Sequence, residues 1–185
     1  PIPATTFPKI GEYSLNPINE PFISLQDEGF ICYSYYYMNG VAGAIPTCYA
    51  RKTVVDMLTR ARQNLPPDLD FKIWDAYRPI HVQERLWSLQ RSKVYFEHPQ
   101  ASEKELDFLT SFFVSKPSYD ETKPSLHNTG GALDLTLIKK DTYEELNMGT
   151  TFDDFSHRAW TNHFEPDYSE HEIDEEICTN RRILY

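Results

Sequence analysis

The chain has 185 residues, 40% hydrophobic and 14% aromatic, which suits one folded domain with a substantial core and excludes a disordered chain. A formal charge of −10, with no basic stripe, argues against a nucleic-acid or anionic-membrane partner, although one buried arginine could still hold an anionic group. No apolar run approaches a membrane span, and the sequence leaves the oligomeric state open. Residues 1–30 are rich in proline and polar side chains and read as an extended arm with short strands. Residues 30–37 are aromatic and β-prone and predict a strand that breaks at Asn39-Gly40. In 52–65, Val54, Val55, Leu58, Ala61 and Leu65 recur at helical spacing until Pro66-Pro67 stops the helix. A short strand over 71–74 leads into Asp75-Ala76-Tyr77-Arg78-Pro79. A helix over 80–91 follows, with Val82, Leu86 and Leu89 facing inward and Pro79 near its first turn. Further helical patterns cover 103–114 and 170–185, with a strand over 132–139 between them. The last helix is acidic early and carries Arg181-Arg182 late, as its dipole prefers. It reaches Tyr185 in mid-pattern without a glycine cap, so the expectation is a single domain over 1–185 whose C-terminal segment continues further. The fold class predicted is α+β, with helices packed on a small, mainly antiparallel sheet.

Two segments could carry chemistry. In Ser125-Leu126-His127-Asn128-Thr129-Gly130-Gly131-Ala132-Leu133-Asp134, a histidine is followed by a glycine turn and an aspartate on an alternating strand. Leu133, Leu135 and Leu137 share one face, and Ala132, Asp134 and Thr136 share the other, so Asp134 can point into a cleft while the leucines bury. An imidazole nitrogen and a carboxylate oxygen aimed at one point are ligands that Zn²⁺ accepts, but a catalytic site needs a third protein ligand. Without further context, the same residues also suit a turn and a surface carboxylate. The second segment is Trp74-Asp75-Ala76-Tyr77-Arg78-Pro79, whose arginine offers a rigid, permanently charged fork of donors for an oxyanion. Its plain alternative is a structural ion pair with Asp75. Cys32, Cys48 and Cys178 lack zinc-finger spacing and read as free thiols, a Cys32–Cys48 disulfide being the alternative in an oxidising compartment.

In this order the two segments resemble the D-alanyl-D-alanine dipeptidases of the VanX type, within the zinc DD-peptidase and Hedgehog-like superfamily. That family has Trp-Asp-x-Tyr-Arg-Pro before Ser-x-His-x(6)-Asp, and both stand here intact. The resemblance extends to Met148-Gly149-Thr150-Thr151-Phe152-Asp153-Asp154-Phe155, then Ser156-His157, and to Asn180-Arg181-Arg182. It is loose over residues 1–65. It implies that His127 and Asp134 are zinc ligands and that Arg78 stabilises the oxyanion of a tetrahedral intermediate. It also implies that Ser125 and Asp153 hold the ammonium of a dipeptide substrate, with His157 supporting the site from outside the ligand shell. The activity implied is zinc-dependent hydrolysis of D-Ala-D-Ala in cell-wall metabolism or glycopeptide resistance. The alternatives are a DD- or LD-carboxypeptidase on peptidoglycan stems and a non-catalytic binding module. One departure stands out: the family's Glu-x-x-His, which supplies the general base and third ligand, does not occur in these 185 residues. His163 and His171 are the substitutes to test. The start, Pro1-Ile2-Pro3-Ala4, has no basic-then-apolar leader, and the compartment expected is cytoplasmic, with periplasmic as the alternative.

Overall fold

Leu69–Asp75 is the longest strand of the described chain, and its first three residues are all buried. A strand covered on both faces need not alternate, and this one lies in the middle of its sheet. The computed structural model describes residues 1–2, 19–166 and 174–185. In order, their elements are β1 (Phe22–Ser24), β2 (Ile31–Cys32), α1 (Tyr35–Met38), β3 (Tyr49–Arg51), α2 (Lys52–Gln63), β4 (Leu69–Asp75), α3 (Ile80–Glu97), α4 (Glu103–Ser111), β5 (Asp134–Lys139) and α5 (Glu175–Leu184). Short 3-10 turns occur at Leu126–Thr129 and His157–Ala159. β1 pairs antiparallel with β3, Ile23 opposite Ala50, while β2, β4 and β5 form a second sheet in that order. This is the α+β class expected.

Contacts divide the chain into two compact units. One gathers Arg60–Lys72 and the described part of Thr136–Tyr185, and the other gathers Ile73–Leu135 and the described part of Pro17–Thr59. In the first, Leu137 and Ile138 are fully buried and Ile177 nearly so. Buried Asp70 is matched there by Arg62, whose Nε donates to it at 2.7 Å. Glu165 is matched in the same way by Arg182 of α5, at 2.8 and 2.6 Å. In the second unit the core includes Leu25, Ala50, Ile73, Val82 and Leu106.

Several boundaries differ from the sequence pattern for identifiable reasons. The aromatic run over 30–37 is a strand only at Ile31–Cys32. Ser34 turns to φ 50, its hydroxyl donating to Pro46 O at 2.6 Å, and the tyrosines after it wind into α1. Tertiary packing overrides β propensity here. α3 runs on to Glu97 and stops where Pro99 forces His98 out of the helical region, at φ −130. Its buried side chains are Val82, Gln83, Trp87 and Val94, whereas Leu89, expected inside, is 52% exposed. α4 is fixed by a reciprocal cap, the Ser102 hydroxyl accepting from Glu105 N–H while the Glu105 carboxylate accepts from Ser102 N–H. α5 starts at Glu175 because Asp174 caps it, accepting from Glu176 and Ile177 N–H; residues 170–173 of the expected helix lie outside the described residues.

Candidate metal centre

β4 ends at Asp75, and the chain then crosses to α3 through Ala76, Tyr77, Arg78 and Pro79. Tyr77 N–H donates to Tyr49 O at 2.8 Å, which anchors the crossing against β3. Arg78 N–H donates to His127 O at 3.1 Å, and the Asn128 side-chain amide donates back to Arg78 O. The two motifs are therefore joined through their backbones. The turn carrying His127 ends at Gly130, whose φ of 75 puts it in the left-handed region. An added Cβ there would stand 2.3 Å from the Phe22 ring. Gly131, its neighbour, is not left-handed, but a Cβ there would stand 2.9 Å from Thr129 Oγ1.

β5 begins at Asp134, so the strand opens on the residue that faces the histidine. Its interior is closed on both faces, Thr136, Leu137 and Ile138 being buried in succession while Ala132 to Leu135 are all half-buried, so the predicted alternation is absent. His127 Nε2 and Asp134 Oδ2 are 3.4 Å apart. Two ligand atoms each about 2.0–2.1 Å from a tetrahedral ion are separated by about 3.4 Å, so this pair already has the span of one edge of a zinc site. On the far side of the ring, Nδ1 lies 2.8 Å from Ala76 O. A carbonyl can only accept, so Nδ1 carries a proton, and Nε2, the nitrogen left for a metal, faces Asp134. The donor set fits a metal ion.

Asp75 joins the pair. Ligand atoms of Asp75, His127 and Asp134 all lie within 4.8 Å of one another. Its position, however, is behind the ring, with Oδ2 3.4 Å from His127 Nδ1. The same oxygen accepts from Arg78 Nε at 2.8 Å and lies 2.7 Å from Nη2. That is the place of a carboxylate that orients a ligating imidazole and holds an arginine. Arg78, only 7% exposed, also lies 3.5 Å from Asp134 Oδ2. The ion pair with Asp75 is thus formed, and the same guanidinium also stands beside Asp134.

The electrostatics follow from burial. Desolvation pulls the His127 pKa down, but the Asp134 carboxylate outweighs it and leaves the imidazole above its ordinary value. Burial lifts the Asp75 pKa, against the lowering charges of Arg78 and His127. For Arg78 the loss of water is more than offset by Asp75, and its pKa rises.

A family model described as D-ala-D-ala dipeptidase matches residues 34–184, which include every residue of this cluster. The chain belongs to the D-ala-D-ala dipeptidase family. A relative from Synechocystis sp., named D-alanyl-D-alanine dipeptidase, is 28% identical over 125 residues, covering 62% of this chain and 50% of the relative. The chain thus matches about half the length of that protein. The D-ala-D-ala dipeptidase family is one of metallopeptidases, and the Asp75, His127 and Asp134 group is the candidate metal site among the described residues.

The remaining site residues distribute as follows. Ser125, 8% exposed, precedes the His127 turn, its hydroxyl donating to Lys116 O at 3.4 Å. Asp153 belongs to the other unit, where it is exposed and left-handed at φ 59. His157 and His163 lie in that unit too, with ring centroids 5.1 Å apart. His171 lies outside the described residues. Three members of this dipeptidase-family site went unassigned in the sequence: Asp75 as a partner of His127, and Gln83 and Tyr36 around Arg78. Gln83 Oε1 accepts from Arg78 Nη1 at 2.7 Å, and the Tyr36 ring lies 4.7 Å below the guanidinium carbon. The available signal was a glutamine on the inner face of α3, at helical spacing from Trp87.

Proposed function

We propose that the protein containing this chain is a zinc-dependent dipeptidase that hydrolyses D-Ala-D-Ala in bacterial cell-wall metabolism or glycopeptide resistance. The observation that supports this most is the 3.4 Å separation of His127 Nε2 from Asp134 Oδ2, with the Arg78 guanidinium 3.5 Å from the same carboxylate oxygen. His127 and Asp134 would hold the zinc, which when bound supplies a Lewis acid that polarises a carbonyl and acidifies water. Ala76 O holds the Nδ1 proton of His127, and the Asp75 carboxylate, 3.4 Å from the same nitrogen, adds negative charge behind the ring. Arg78, almost dry, faces the negative charge that develops on the scissile carbonyl oxygen; such pre-aimed donors contribute most where water is excluded. Ser125 and Asp153 would receive the substrate's free ammonium. The glutamate base and further histidine ligand that the family carries as Glu-x-x-His are not among these 185 residues. The compartment proposed is cytoplasmic, with a periplasmic location as the alternative.

The test is release of D-alanine from D-Ala-D-Ala by the full-length, zinc-loaded protein, beside an acyl-blocked tripeptide as control. Hydrolysis of the dipeptide alone is expected, because an ammonium-binding carboxylate rejects a blocked amine. Preference for the tripeptide would favour a carboxypeptidase. His127→Ala should remove zinc and activity together, and Arg78→Ala should remove activity while zinc stays. Full turnover in either variant would overturn the assignment.

A further inference from the structure

We infer that Gln83 is the positioning residue that aims the Arg78 guanidinium while leaving its charge undiminished, an inference that rests on the dipeptidase reading for its kinetic consequence. Gln83 is 2% exposed on α3, on the inner face beside Val82. Its Oε1 accepts from Arg78 Nη1 at 2.7 Å, and its amide Nε2 donates to Ser115 O at 2.7 Å. Both ends of the amide are therefore occupied by partners of opposite kind. A flipped amide would set its NH₂ against a cation and its oxygen against a carbonyl, so the orientation is fixed.

The other contacts of Arg78 hold one edge and one face of the fork, Nη2 also lying 3.5 Å from Asp134 Oδ2. Nε and Nη2 meet a single oxygen of Asp75, at 2.8 and 2.7 Å. Tyr36 adds only a ring face at 4.7 Å and a hydroxyl that accepts from Nη2 at 3.4 Å. Gln83 holds the remaining arm, Nη1, and so sets the plane of the fork.

The residue type matters as much as the place. Two carboxylates, Asp75 and Asp134, already stand beside Arg78. A glutamate in place of Gln83 would supply the same acceptor but add a third negative charge in a dry site. The neutral amide directs the guanidinium and leaves its field for a developing oxyanion.

The experiment compares wild type with Gln83→Met, which keeps length and volume, and Gln83→Glu, which keeps the acceptor. Side-chain NMR of the Arg78 guanidinium should show resolved, slowly exchanging Nη1 protons in the wild type and in Gln83→Glu, and fast exchange in Gln83→Met. In steady-state kinetics on D-Ala-D-Ala, kcat should fall about tenfold to a hundredfold in Gln83→Met, the scale of a misplaced catalytic group, with KM and zinc content held. Gln83→Glu should lose kcat too, although its arginine stays ordered. In an Arg78→Lys background the Gln83→Met change should cost almost nothing further, since no fork remains to be aimed. Equal losses with and without Arg78, or unchanged Arg78 proton exchange in a folded Gln83→Met, would overturn the inference. A wild type that fails to hydrolyse the dipeptide defeats the peptidase reading, and the proton-exchange arm still decides the role of Gln83.

Discussion

Asp75→Asn separates two roles that Asp75 could have, ligand or orienter. Asp75 Oδ2 lies within 2.8 Å of two nitrogens of Arg78, whose side chain is 8% exposed. Removing one partner of a buried ion pair costs about 3–5 kcal/mol, because the other charge is left without compensation. Here the cost is moderated. Asparagine keeps one oxygen for Nε, Asp134 remains 3.5 Å from Nη2, and the Asp75 side chain is 13% exposed. A loss of about 2–3 kcal/mol is therefore expected. At about 2–4 °C per kcal/mol for a chain of this size, the thermal midpoint should fall by about 4–12 °C. The assay is thermal and urea unfolding with chelator present, repeated with zinc. Because Asp75 stands at Nδ1, zinc affinity should drop about 10–100-fold, the usual effect of losing a ligand's supporting carboxylate. A midpoint unchanged within about 1 °C would refute the energetic argument. Complete loss of zinc binding in a folded variant would refute the geometric one, since it would make Asp75 a ligand itself.

Gly130→Ala should destabilise by about 2–3 kcal/mol, combining a left-handed alanine with a Cβ forced against the Phe22 ring, as read from urea midpoints. A neutral result would mean that Phe22, which also stacks under Arg51 at 3.9 Å, is free to move aside. Glu165 supplies a pH signature. Its hydrogen bonds to Arg182 hold the carboxyl down to about 2, against an ordinary 4.5. A lowered folded pKa stabilises above the unfolded value, so the contribution should be whole above about pH 4.5 and vanish as pH falls to about 2. Its ceiling is about 3 kcal/mol, and screening by the solvent around Arg182 reduces it to about 1–2 kcal/mol. Glu165→Gln should flatten that part of the stability–pH curve; an unchanged slope between pH 4.5 and 2 would show that the pair contributes nothing.

The parts of the site readable from sequence were those whose chemistry is local. His127, Gly130 and Asp134 lie within one short turn and strand entry, and their spacing already brings two ligands together. Arg78 could be read as a charge for an oxyanion or for Asp75, but not with its full set of neighbours. That it meets Asp75, Gln83 and Tyr36 at once depends on how α1 and α3 pack, and no periodicity in one segment reports this. The error on α3 has the same origin. Val82 is buried as the apolar stripe predicts, yet the rest of the buried face falls on Gln83, Trp87 and Val94, where Gln83 meets Arg78, and Leu89 is 52% exposed. The tyrosine run fails as a strand for a related reason. Three tyrosines favour extended backbone, and a single left-handed serine bonded to Pro46 O changes the outcome.

The bond from Gln83 to Ser115 O also has a meaning for how such a protein can diverge. It ties the neck of an excursion in which the chain leaves along α3, turns at Pro99 and returns along α4. Tyr119, which donates to Glu84 at 2.8 Å, and Lys116, which donates to Asp107 at 2.6 Å, tie the same excursion to the segment that follows it. Chain length at the exposed turn around Gln100 can therefore change cheaply, since doubling a flexible loop costs only about 0.6 kcal/mol. The hairpin between residues 84 and 114 is thus the natural place for relatives to vary in length, and for an engineer to graft an insert, while Arg78 and His127 keep their registration.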